Sequence, residues 1–188
     1  MAAVAMFVLK EGSRNAYNTD RRDGNFRENY RRIFGLRLPH MDTVDTVFRR
    51  LEENHLQILK REMIRSLLKK KVLHKYKIPG LGFNVSVDAT HVVSYSYPHC
   101  HDCLRRTSET GKTTYFHNIL EAKMITSNGL ALSLASEWIE NSEAGHYEKQ
   151  DCEMKAFRRL AVKLKKFFPR LPVFLTADGL YPNNTFFD

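Results

Sequence analysis

Between Met41 and Lys71 the chain carries no glycine or proline, and its apolar residues recur at helical spacing. They are Val44, Val47, Phe48 and Leu51, then Leu56, Leu59, Met63, Ile64, Leu67 and Leu68. Two helices are predicted there, with Asp42 or Thr43 capping the first and Asn54 the second. Residues 1–9 are also apolar and read as a packed helix, since they lack the basic leader and small-residue cleavage site of a secretion signal. Past Pro79-Gly80-Leu81-Gly82 the pattern changes. Residues 83–93 are rich in β-branched side chains and read as a strand, as do residues 113–126. Ser127-Asn128-Gly129 suits a hairpin turn, because Asn and Gly tolerate positive φ, and residues 130–139 return as a third strand. Residues 149–168 then form a helix with an inner stripe of Phe157, Leu160, Ala161, Leu164, Phe167 and Phe168, stopped by Pro169. Residues 171–177 are almost wholly apolar, the mark of a parallel strand buried on both faces. The predicted fold is α/β: a helical, basic region over residues 1–79, then a mixed sheet over 80–188. In that sheet a three-strand meander is followed by a helix crossover to a parallel fourth strand beside the first.

Charge adds a partner class to this picture. Lysine and arginine number 30 against 21 acids among 188 residues, a formal charge of +9, which suits a polyanion such as DNA or RNA. Arg49, Arg50, Lys60, Arg61, Arg65, Lys69, Lys70 and Lys71 lie off the apolar stripe, and the basic run continues through His74, Lys75 and Lys77. Such a face is either solvated or in contact with phosphate. Upstream, arginines interleaved with Tyr17, Phe26, Tyr30 and Phe34 either pack a small helical module or touch a nucleic-acid backbone. No apolar stretch nears the roughly 20 residues that span a bilayer, so no membrane partner is expected. Three cysteines do not make a disulfide framework, and free thiols fit a reducing cytoplasm.

Candidate chemistry concentrates at two places. Asp88 and Asp178 each close a short apolar run, and a carboxylate on a buried strand is costly unless cations or hydrogen bonds satisfy it. On adjacent strands the two would form an oxygen-ligand site for Mg²⁺ or Mn²⁺. Each also suits a simple strand-ending turn. His99-Cys100-His101-Asp102-Cys103 holds a Cys-x-x-Cys pair flanked by histidines in the connection between the first two strands. These soft ligands suit structural Zn²⁺, with His117 a further partner, or an ordinary reduced loop. Cys152 is expected as a small buried thiol. Glu121, Glu137 and Glu140 are expected at the surface or in ion pairs, and His40 and His91 in packing or hydrogen bonding.

Several segments carry a resemblance. They are Val87-Asp88-Ala89-Thr90, Gly111 to His117, Leu120-Glu121-Ala122-Lys123, Leu134 to Glu140, Lys149 to Glu153, Phe168 to Pro172 and Ala177 to Tyr181, with Lys10 to Asn15 and Leu36 to Met41 upstream. Over nearly its whole length the chain resembles the DDE-type transposases of bacterial and archaeal insertion sequences, whose catalytic domain has the ribonuclease H-like fold. The resemblance implies metal-dependent phosphodiester cleavage and strand transfer in DNA, with Asp88 as the first metal-binding aspartate and Asp178 as the second. It also implies Mg²⁺ or Mn²⁺ as cofactor and DNA as partner, with a homo-oligomer left open. The family's third acid, usually a glutamate, lies on a helix well downstream of the second aspartate and has no counterpart before Asp188. The expectation is therefore the N-terminal part of a transposase with an incomplete ribonuclease H-like sheet, which binds DNA nonspecifically but cuts it poorly. Its alternative is a catalytically inactive DNA-binding remnant.

Overall fold

The computed structural model describes residues 1–141 and 152–177. The chain divides into two compact units, Met1–Leu56 and Gln57–Asp188. That division falls upstream of the Pro79 to Gly82 turn at which the sequence pattern changes.

The first unit holds α1 (Ala2–Val8), α2 (Arg14–Asp20), α3 (Gly24–Phe34) and α4 (Met41–Phe48). Polar caps set the starts of three of these helices. Ser13 accepts a bond from the Ala16 N–H at 3.1 Å, and Asp23 accepts from Asn25 and Phe26 at 2.6 and 3.3 Å, which satisfies orphan donors of the first turn. Gly35, at φ +65°, ends α3 in the left-handed conformation that glycine adopts at least cost. His40, rather than Asp42 or Thr43, caps α4, its Nδ1 accepting from the Asp42 N–H at 3.3 Å. The core is small: Ala2, Ala5, Tyr17, Tyr30, Leu38 and Met41 are buried, with Tyr17 edge-on to Phe26. Val47, Phe48 and Leu51 are exposed, and Val44 alone of the predicted stripe packs on this core.

In the second unit a mixed sheet contains β1 (Phe83–Tyr95), β2 (Leu104–Thr107), β3 (Thr113–Ile125), β4 (Ala131–Ile139) and β5 (Val173–Ala177). β1 and β3 run antiparallel from Val85 opposite Met124 to Tyr95 opposite Tyr115, with a bulge between His91 and Val93. The other edge of β3 pairs with β2 along its first residues and with β4 along its later ones, both antiparallel. The hairpin turn stands where the Asn-Gly pair is: Gly129 has φ +84°, and Thr126 closes the loop by bonding Leu130 and Asn128. α6 (Glu153–Phe167) then leads to β5, which lies parallel to β1 with Phe83 opposite Val173 and Val87 opposite Ala177. A meander, a crossover helix and a parallel strand beside the first are thus as the pattern predicts. β2 is an addition to it.

Alternation decides what β1 buries. Phe83, Val85 and Val87 are buried with Leu120, Ala122 and Met124 of β3, and Ala156, Phe157, Leu160, Phe167 and Phe168 from α6 and its end join the same core. Full burial of each large side chain contributes about 1.5–3 kcal/mol. α5 (Glu53–Lys69) adds Ile64, with Leu67 and Leu68 packed beside it. Leu56, Leu59 and Met63 are exposed, and Asn54 lies inside the helix rather than capping it. β5 departs from expectation. Val173 and Phe174 are half-buried but Leu175, Thr176 and Ala177 are exposed, because β5 ends the described sheet with one neighbour, β1. Among the described residues no helix is long and apolar enough to cross a membrane.

Candidate functional site

Asp88 stands on the face of β1 opposite to Val85 and Val87, and it is exposed. The cost of burying a carboxylate, which singled it out in the sequence, does not arise here. Its antiparallel partner is Glu121 of β3, and like charges directly opposite repel across a ladder. Glu121 is drawn away from that encounter. Its carboxylate accepts from Ser133 at 2.8 Å and Ser136 at 3.2 Å and pairs with Lys123 at 2.9 Å. A bulge between Ala122 and Lys123 lets both serines of β4 reach it. Lys60 of α5 binds the same serines at 3.0 and 2.6 Å. Burial opposes the Glu121 charge, but Lys123, Ser133 and Lys60 outweigh it and hold the carboxyl below its ordinary value. No described residue donates to the Asp88 carboxylate. Asp178 lies outside the described residues, as do Lys149, Gln150 and Asp151. Ala177, which precedes Asp178, is opposite Val87, which precedes Asp88.

The second site is built where the connection between β1 and β2 meets β3. Cys100 and Cys103 sulfurs lie 3.6 Å apart, and His117 Nε2 is 3.3 Å from each. These three groups form a cluster able to hold a metal ion. Cys103 is fully buried immediately before β2, and His117 sits in β3 opposite Val93, just past the β1 bulge. The ring of His117 meets Trp138 of β4 edge-on at 6.4 Å, while the Asn141 N–H donates to the Asp102 carbonyl at 3.0 Å. Burial lowers the His117 pKa and raises that of the Cys100 thiol, so the imidazole keeps a free lone pair at neutral pH. The two flanking histidines do not join the cluster. His99 stacks on Tyr95 at 4.3 Å, and His101 is exposed and pairs with Asp102 at 3.1 Å. The strand pairing, which the sequence does not print, brings His117 in.

Other sequence candidates fall into structural roles. Glu137 pairs with Arg159 at 2.8 Å and Lys163 at 2.5 Å, tying β4 to α6. His91 bonds Asn118 at 3.1 Å. Cys152 is exposed at the N-cap position of α6 rather than buried.

Two clefts gather basic residues from the stretches for which the sequence leaves contact with a phosphate backbone open. In the second unit a cavity of about 400 Å³ is lined by Arg65, His74, Lys77 and Arg170 beside Phe83 and Phe167. In the first unit one of about 460 Å³ is lined by Arg21, Arg27, Arg31 and Arg37, with Glu28 the one acid. Comparisons with protein-family models, curated proteins and solved structures returned no match.

Proposed function

We propose that the chain is a metal-dependent nucleic-acid enzyme of the DDE transposase type, acting on DNA by phosphoryl transfer on a ribonuclease H-like sheet. The observation that carries this reading is the parallel pairing of β5 with β1, whose last partners are Ala177 and Val87. In the sequence Asp88 follows Val87 and Asp178 follows Ala177. The exposed Asp88 carboxylate, opposite Glu121 and without a donor among the described residues, is a hard oxygen ligand of the kind Mg²⁺ and Mn²⁺ take. A divalent ion bound by Asp88 and Asp178 would activate a water or a DNA 3′-hydroxyl and stabilise the leaving oxygen. Asp88 would hold that ion on the sheet face away from the α6 core. Lys77 and Arg170 in one cleft and Arg27 and Arg37 in the other offer cations to a DNA backbone.

Mn²⁺ binding followed by electron paramagnetic resonance tests the reading directly. Asp88→Asn keeps the shape of the side chain but removes its charge, and we expect it to weaken Mn²⁺ binding by about tenfold or more. Equal binding by the two proteins would remove Asp88 from the metal site and the enzyme reading with it.

A further inference from the structure

We propose that Cys100, Cys103 and His117 bind one Zn²⁺ ion, with a water at the fourth position, and that this ion clasps the β1 to β2 connection onto β3. The proposal does not depend on the transposase reading, because it involves neither Asp88 nor the basic clefts. Its first support is the geometry. Tetrahedral Zn²⁺, with Zn–S about 2.3 Å and Zn–N about 2.0–2.1 Å, separates two sulfurs by about 3.8 Å and a sulfur from a nitrogen by about 3.6 Å. The separations here are 3.6 Å between the sulfurs and 3.3 Å from each sulfur to His117 Nε2. An outward shift of two or three tenths of an ångström admits the ion.

A hydrogen-bonded triad explains the arrangement less well. Nε2 of a neutral imidazole has one proton or one lone pair, so it cannot make a full bond to both sulfurs, and a thiol is a weak donor. A cation at the centre satisfies all three groups at once. Two soft sulfurs and an imidazole also favour Zn²⁺ over Mg²⁺ and Ca²⁺, which carboxylate and carbonyl oxygens suit instead. The position of the ligands gives the ion its role. Cys100 and Cys103 lie in or beside the connection that leaves β1 at Tyr95, whereas His117 belongs to β3. One ion therefore pins a loop to the middle of the sheet, and the Asn141 bond to Asp102 holds the same loop to the end of β4.

Metal analysis of the full chain purified from zinc-supplemented medium should return about one zinc per chain. Replacement by Co²⁺ should give the intense visible bands of a tetrahedral ion and a thiolate charge-transfer band in the near ultraviolet. Cys100→Ser, Cys103→Ser and His117→Ala should each weaken binding by about 100-fold or more. His99→Ala and His101→Ala should retain the metal. The cobalt spectrum of the unaltered chain reads the site without relying on any variant to fold. A chain that takes up no zinc and gives no tetrahedral cobalt spectrum would overturn the proposal. So would full metal content in His117→Ala, or its loss in His101→Ala.

Discussion

Gly82 shows how much one residue decides at the entrance to the sheet. Its φ of +110° lies where side chains other than hydrogen are strained, and a Cβ there would collide with the Pro172 carbonyl. The crowding has a structural cause. The Phe83 N–H donates to that same Pro172 carbonyl at 2.9 Å, the bond that begins the run of β1 alongside β5. Gly82→Ala must therefore either push Pro172 away, losing the bond, or twist the backbone before β1. We expect it to cost about 2–4 kcal/mol, measured by urea unfolding. Gly80→Ala is the control, because it too has positive φ but open space around it. It should cost only about 1 kcal/mol, and equal losses at the two positions would show that backbone conformation, not the approach of Pro172, sets the requirement.

At the scale of elements, Glu121 joins three of them: it sits in β3, bonds Ser133 and Ser136 of β4, and through those serines meets Lys60 of α5. Because the fold holds its carboxyl below the ordinary value of 4.5, the charged form is the one that stabilises. Its contribution is complete above about pH 4.5 and is lost as pH falls through the lower value in the fold. Glu121→Gln should cost about 1–3 kcal/mol at neutral pH, and the gap to the unaltered chain should close on acidification. A gap that persists at low pH would mean that the carboxylate charge is not what the network uses. That network also marks the limit of what the sequence conveys. Strand periodicity and the Asn128-Gly129 turn suffice for β1, β3 and β4, and Pro169 for the end of α6. β2 escapes notice because Leu104-Arg105-Arg106-Thr107 is too short to alternate legibly, and its pairing with β3 is a tertiary event. The apolar composition of β5 reads as double burial, yet its position at the end of the described sheet leaves Leu175 exposed. The Cys-x-x-Cys pair is visible as a string. His117 becomes its partner only through the register of β1 and β3, whereas the adjacent His99 and His101 turn elsewhere, to Tyr95 and Asp102.

For the whole molecule the excess of basic over acidic residues, 30 against 21, has a spatial counterpart, since each compact unit carries a cleft to which several cations contribute beside apolar residues. A net charge alone attracts any polyanion diffusely, and removing one lysine from a diffuse field changes little. Clefts that seat phosphates behave differently. Each cation in contact releases a counterion, so the dependence of log K on log salt steepens by about 0.9 per phosphate neutralised on duplex DNA. Lys77→Ala with Arg170→Ala removes two such contacts in the second unit, and Arg27→Ala with Arg37→Ala removes two in the first. Fluorescence anisotropy with a duplex of arbitrary sequence, repeated across salt concentrations, should show each pair lowering the slope by about 2. Lys10→Ala with Lys112→Ala alters the net charge by the same amount at positions that line neither cleft, and should leave the slope nearly unchanged. If all three pairs lower affinity alike, the charge acts as a field and the clefts have no special claim on DNA. If neither cleft pair changes the slope, DNA is not their ligand, and the nucleic-acid partner in the proposed function loses its support from the surface of the molecule.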